Sequence, residues 1–322
     1  MVETNAKAAI VQRIFEGVFD LPDTIYVGAD ALGHCFSCSV RSRTFDLIFP
    51  MLPTNPHDER GLRSPRKDNR LLVPKYDIWG FINGPRTDWA SDVAAIVFRF
   101  ECDDEADGGQ IAYDFGRDLT SWYIIATQWL ELWARQVLAP FQGEEIITTG
   151  SMWEMNVTPP ARSSWRSKGH IDYVPGKEAD RAMLNTAFTH ASRSNLPPLE
   201  WRLYLGATRN RDRRIAVIEA VSAVEMALSN ALAIRLPQVP SAAMSRIKQN
   251  ANGVLGILRL IEDIDETPAE RHQWRRVADR LAEPRNQATH RGVAPTLEVV
   301  SQVLREARKL LDLYSPLPSP PE

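Results

Sequence analysis

The stretch RRIAVIEAVSAVEMALSNALAIRL, residues 213–236, repeats apolar side chains at intervals of three and four. That interval places them on one face of an α-helix, and the stretch is too long for an ordinary strand. A helix with such a face is stable when other helices cover it, so the stretch predicts a helical bundle. The predicted face consists of Ile218, Val221, Val224, Leu228 and Leu232.

Helical spacing continues on both sides of this stretch. The glycines Gly253 and Gly256 indicate a close backbone contact within the next helix. Because the connections are short, the pattern predicts a compact antiparallel all-α bundle over residues 197–316, with a flexible Pro-rich tail at 317–322. The other predicted elements are a short helix at 197–208, a turn at 209–212, a helix at 241–264, a helix from the capping box Thr267, Pro268 and Glu270 through Leu281, and a last helix from Leu297.

The N-terminal part has a different pattern. After an amphipathic N-terminal helix, short apolar runs between Pro, Gly and Asp clusters predict strands of a mixed sheet. Residues 1–155 are therefore predicted to form an α+β domain of unknown role. The predicted strands are TFDLIFPML (44–52), LLVPKYDIWGFI (71–82), VAAIVFRFEC (93–102) and the alternating segment GHCFSCSV (33–40).

A tryptophan-rich helix is predicted over residues 118–139, with Asp118 as its cap and the tryptophans in the core. Residues 156–196 follow as a linker or functional loop, since their first part is rich in Pro, Ser and Gly without a period. This segment either grips a single strand of nucleic acid or is a solvated linker. Its basic and aromatic residues are Arg162, Trp165, Arg166, Lys168, His170 and Tyr173.

Composition excludes several classes of protein. The N-terminus carries charges where a signal peptide needs an apolar run, and no apolar run is long enough to span a membrane, so a cytoplasmic location is expected. Cys35 and Cys38 form a lone C-x-x-C whose thiols point to opposite faces of a strand, which predicts two buried free cysteines and no zinc site. No cofactor is expected. Net charge is −3, but residues 201–322 carry 18 Lys and Arg against 14 Asp and Glu, an excess that permits nucleic acid as a partner.

The segment EPRNQATHRG, residues 283–292, has two interpretations. In the first, His290, Arg291 and Gly292 close a helix. In the second, Arg285 and His290 handle a phosphate, with Asn286 orienting one of them. On one helix these two residues diverge by about 140° and lie roughly 7.5 Å apart along the axis. A homodimer would bring both pairs to a shared cleft.

The motif RNQATH resembles the R-[N/D/H]-x-x-x-H form of the R-x4-6-H motif of HEPN domains (higher eukaryotes and prokaryotes nucleotide-binding). The long helix at 213–232 and the closing helix resemble those of prokaryotic HEPN-like proteins, so the resemblance covers about residues 197–315. It implies a helical, usually dimeric fold. It further implies a metal-independent endoribonuclease of a toxin–antitoxin or anti-phage defence system, with an antitoxin or other defence protein as partner, or a noncatalytic dimerisation or ligand-binding module.

The residue types suit RNA cleavage. The 2′-hydroxyl is the nucleophile, so a base, an acid and a cation at the phosphate are required. Imidazole ordinarily titrates near neutrality, which fits His290 as base or acid, and Arg285 offers a fixed fork to the phosphate. Glu225 interrupts the apolar face of the long helix and either braces Arg285 or reaches solvent. The candidate RNA-binding residues, whose alternative is simple solvation, are Arg209, Arg211, Arg213, Arg214 and Arg291. Pro284 is expected to kink the helix or restart it at Arg285.

Overall fold

The computed structural model describes residues 12–56, 61–65, 79–82, 89–103, 106–136, 138, 149–155, 161–166, 177–240, 243–244, 247, 251, 253–265 and 271–319. The chain forms two compact units, one reaching Leu196 and one spanning Pro197–Ser319. The first unit contains a sheet and helices, and every described element of the second is a helix. The predicted mixed α+β class is therefore confirmed.

A seven-stranded sheet organises the N-terminal unit, and β1 lies at its centre between β5 and β6. The strand order is β2-β3-β5-β1-β6-β7, with β4 also paired to β5. Every pairing between these strands is antiparallel, so the predicted mixed sheet is corrected to an antiparallel one. The strands are β1 Arg13–Val27, β2 Cys35–Val40, β3 Arg43–Ile48, β4 Gly80–Ile82, β5 Ser91–Cys102, β6 Thr149–Glu154 and β7 Ala161–Arg166.

Two helices, α1 (Gly108–Ala134) and α2 (Arg181–Ser192), complete this unit. The Phe115 ring of α1 stacks on Phe100 of β5, with ring centroids 4.2 Å apart. Trp122 and Trp129 of α1 are buried, which confirms that these two tryptophans belong to the core, whereas Trp133 is half-buried.

The predictions for the first residues of this unit and for the start of its tryptophan-rich helix are wrong. Residues from Arg13 onward form β1 instead of an amphipathic helix, while residues 1–11 lie outside the described part of the chain. Helix α1 begins at Gly108, where the Asp107 carboxylate accepts from the amides of the first turn. Asp118 lies inside the helix and pairs with Arg41 at 3.2 Å, so it caps nothing.

The segment 156–196 is also corrected, because it belongs to the N-terminal unit and contains β7 and α2. Its small polar strand ARSSWR pairs with β6 through backbone hydrogen bonds, which composition does not reveal. Of the basic and aromatic residues that could grip nucleic acid in the first interpretation, Arg162, Trp165 and Arg166 lie in β7. The others, Lys168, His170 and Tyr173, lie outside the described residues.

The two cysteines of β2 differ in exposure, although both were predicted to be buried. Cys38 is buried and Cys35 is exposed, so the opposite orientation is confirmed and the burial of both thiols is wrong. Burial raises the pKa of the Cys38 thiol well above its ordinary range, which keeps it protonated and unreactive.

The C-terminal unit is built around one long helix. Helix α4 packs against all the other helices that are described in this unit, and its valines, its leucines and all its alanines except Ala233 are buried. The length and composition of α4 alone would allow it to cross a membrane, whereas the sequence was expected to contain no apolar run of sufficient length. A buried core helix of a bundle has the same length and composition. The helices are α3 Leu199–Arg209, α4 Arg213–Arg235, α5 Gly253–Asp265, α6 Arg271–His290 and α7 Leu297–Tyr314.

The helices are not all antiparallel. The C-terminal residues of α4 and α5 meet, since Arg235 pairs with Asp265 at 2.7 Å. Glu225 of α4 lies beside Gly253 at the start of α5, so α4 and α5 run parallel. The single helix predicted over 241–264 is interrupted at Gly253, which has a φ of +69°. The capping box at 267–270 lies outside the described residues.

The remaining contacts fix which helix ends lie together. Arg275 near the start of α6 pairs with Glu262 near the end of α5, so α6 runs antiparallel to α4 and α5. Helix α7 runs back along α6, joined by the Arg280–Glu306 ion pair. The C-terminal end of α6 therefore lies at the same end of the bundle as the turn between α3 and α4.

Candidate functional site at the end of helix α6

Helix α6 carries the candidate motif and continues through Pro284 to His290. The helix does not restart at Arg285, so no new helix N-terminus forms there for an anion, and that part of the prediction is wrong. Pro284 has no N–H, which deprives the carbonyl of Arg280 of its usual helical hydrogen bond. Gly292 ends the helix with a φ of +63°, as predicted for a left-handed cap.

The three candidate catalytic residues differ in exposure. Asn286 and His290 are exposed, and Arg285 is half-buried. The Arg285 guanidinium donates to the Asn286 side-chain oxygen across 3.5 Å, a long hydrogen bond. This contact turns the guanidinium toward the face of the helix that carries Asn286, although Arg285 itself points about 100° away.

An open depression lies along the exposed face of α6. His290 and Asn286 line it, and the Arg285 side chain does not. Two of the lining side chains are hydrogen-bonded to each other: the Gln287 side-chain amide donates to a carboxylate oxygen of Glu283 at 3.2 Å. The lining residues are Asp279, Ala282, Glu283, Asn286, Gln287, His290 and Arg291.

Sequence reasoning did not select Glu283 or Gln287. The i, i+4 spacing of the two residues is a signal that could have found them, because such pairs lie side by side on a helix. Their presence puts a carboxylate in the same depression as His290.

Glu225 lies half-buried on α4, where its carboxylate oxygen is 3.5 Å from the position that a Cβ on Gly253 would take. Both Glu225 and Arg285 are described, and no ion pair between them is present. A carboxylate beside the first turn of α5 interacts favourably with the helix N-terminus. Glu225 therefore contacts α5 instead of bracing Arg285.

The candidate RNA-binding arginines lie at the end of the bundle that carries His290, but they differ in exposure and in ion pairing. Arg214 is tied to the α4 cap Asp212, at 3.1 Å between guanidinium and carboxylate. Arg209 is half-buried, and burial lowers the pKa of its guanidinium to about 10, so it stays charged at neutral pH. Arg211, Arg213 and Arg291 are exposed. Three of the five are therefore exposed to solvent.

Among the residues that the structure describes, no group of three or more His, Cys, Asp or Glu side chains could hold a metal ion. Compared with protein-family models, curated proteins and solved structures, the chain matches none of them.

Proposed function

We propose that the protein is a metal-independent endoribonuclease of HEPN type that acts in a prokaryotic defence or toxin system. The observation that carries the proposal is the joint position of Asn286 and His290 on the exposed face of α6, with the Arg285 guanidinium turned toward Asn286. The resemblance of RNQATH to the HEPN motif supports the same function.

The proposed reaction is a transesterification at phosphorus. The 2′-oxygen bonds to the phosphorus, the bond to the 5′-oxygen breaks, and the products carry a 2′,3′-cyclic phosphate and a 5′-hydroxyl. His290 transfers a proton, and Arg285 stabilises the negative charge on the phosphorane oxygens as a bidentate donor. Asn286 holds the Arg285 guanidinium through its side-chain oxygen.

RNA binding is assigned to the exposed arginines at this end of the bundle. Arg213 and Arg291 are exposed at the start of α4 and just beyond the end of α6, where they attract the phosphates of the strand. A homodimer is part of the proposal, because Arg285 and His290 diverge by about 140° and two copies bring both pairs to one cleft. An antitoxin or other defence protein is the proposed partner that restrains the activity.

The test is cleavage of a defined RNA by the full-length protein, with and without EDTA. We expect cleavage in both conditions and a cyclic phosphate on the upstream product. His290→Ala and Arg285→Ala should each lower the rate by about a hundredfold or more. The matched control is Arg276→Ala, an exposed arginine earlier on α6, which should cleave at the wild-type rate.

The alternative function is that of a noncatalytic dimerisation or ligand-binding module. Gly292 closes α6 in the conformation that a purely structural role for His290 and Arg291 requires. A folded wild type that cleaves no RNA, also when its N-terminal unit is engaged, would favour that module.

A further inference from the structure

The proposed ribonuclease requires two proton-transfer groups, one for the 2′-hydroxyl and one for the departing 5′-oxygen. A single chain has one histidine in the depression on α6, His290. The same depression contains the carboxylates of Asp279 and Glu283, so one chain already holds groups that could take the second role.

Glu283 is the better placed of these carboxylates. Residues seven apart on a helix point within about 20° of each other and lie roughly 10.5 Å apart along the axis, which is the relation of Glu283 to His290. Asp279 is one further turn away. Glu283 and His290 can therefore face opposite sides of one phosphate that lies along the helix.

Gln287 holds the Glu283 carboxylate at the depression. Its side-chain amide donates to a carboxylate oxygen of Glu283 across 3.2 Å. Gln287 lies one turn closer to His290 along the helix, and all three residues line the depression. Glu283 is exposed, so its carboxylate meets a substrate without displacing core residues.

We infer that Glu283 is the general base of the proposed ribonuclease and His290 its general acid, with Gln287 as a positioning residue. The inference rests on the proposed function. Glu283 removes the proton of the 2′-hydroxyl as the 2′-oxygen bonds to phosphorus, and the His290 imidazolium gives its proton to the 5′-oxygen as that bond breaks. Asn286 and the Arg285 guanidinium lie between them, beside the phosphate.

The experiment measures kcat/KM against pH for RNA cleavage by full-length wild type, Glu283→Gln, His290→Ala and the control Asp263→Asn, an exposed carboxylate of α5 outside the depression. Wild type should give a bell-shaped profile. Glu283→Gln should lose about a hundredfold at the optimum and lose the acidic limb, His290→Ala should lose the alkaline limb, and Asp263→Asn should retain both limbs. Gln287→Leu should lower the rate and keep both limbs.

The outcomes separate the two proposals. If His290→Ala is inactive while Glu283→Gln cleaves with the wild-type profile, the role of Glu283 is overturned and the ribonuclease stands. If Glu283→Gln loses activity only in proportion to a lower thermal midpoint, its role is structural and the inference is also overturned. If wild type cleaves no RNA, the proposed function fails, and the assignment of Glu283 fails with it.

Discussion

Gly256 of α5 should not tolerate a side chain. A Cβ at this position would lie 2.1 Å from the carbonyl oxygen of Ala251, whereas real Cβ contacts stay beyond 3.0 Å, so the backbone must shift by about 0.9 Å. Forced overpacking costs about 1–3 kcal/mol, and the upper part of that range applies because a backbone carbonyl cannot rotate away. Alanine recovers up to about 1 kcal/mol of helix propensity. Gly256→Ala should therefore destabilise the protein by roughly 2 kcal/mol.

Gly206 of α3 provides the matched control. A Cβ there would lie 3.4 Å from a carboxylate oxygen of Glu219, an ordinary contact with the end of a flexible side chain. Gly206→Ala should stabilise the protein by about 0.5–1 kcal/mol. Urea unfolding of the full chain, followed by far-UV circular dichroism, measures both changes. A Gly256→Ala variant as stable as Gly206→Ala would refute the close approach of α5 to Ala251.

Other measurements check further parts of the structure. Light scattering at micromolar concentration should give a dimer, and a monomer would contradict the shared cleft. Arg213→Ala should weaken RNA binding without changing stability, whereas Arg209→Ala should lower the thermal midpoint, because Arg209 is largely desolvated. Burial, with a smaller contribution from Arg193, lowers the pKa of His190 below its ordinary value of 6.5. The contribution of neutral His190 to the free energy of unfolding should therefore be complete above about pH 6.5 and be lost as the pH drops through the lowered pKa. His190→Gln should flatten that decline in unfolding curves measured from neutral to acidic pH, and an unchanged slope would contradict the assigned burial.

Sequence patterns predicted those elements whose boundaries carry local signals. Helix α7 begins at Leu297 as expected, because an apolar repeat follows a polar turn and Thr296 caps the helix. Strand β1 was missed because residues 15–19 are buried on both faces of the sheet, which removes the alternation typical of a strand. The parallel direction of α4 and α5 could not be predicted, because hydrophobic periodicity indicates which face of a helix is buried and not the direction in which it runs beside a neighbour.

The candidate site was predictable in composition but not in arrangement. Arg285, Asn286 and His290 could be selected by residue type and spacing, and their divergence follows from the helical repeat. The hydrogen bonds from Arg285 to Asn286 and from Gln287 to Glu283 depend on side-chain rotamers, which residue type and spacing do not specify.

The central place of β1 determines when the chain can fold during synthesis. β1 precedes both of its neighbours in the chain, and these end at Cys102 and Glu154, so one edge of β1 stays unpaired until the latter residue has emerged from the ribosome. The helical unit closes even later, because Trp201 of its first helix donates to the carbonyl of Ser315 beyond its last. The bundle can therefore be completed only after Ser315 has emerged, and a nascent chain that ends before this residue would lack the contact that joins the first helix of the unit to the end of its last.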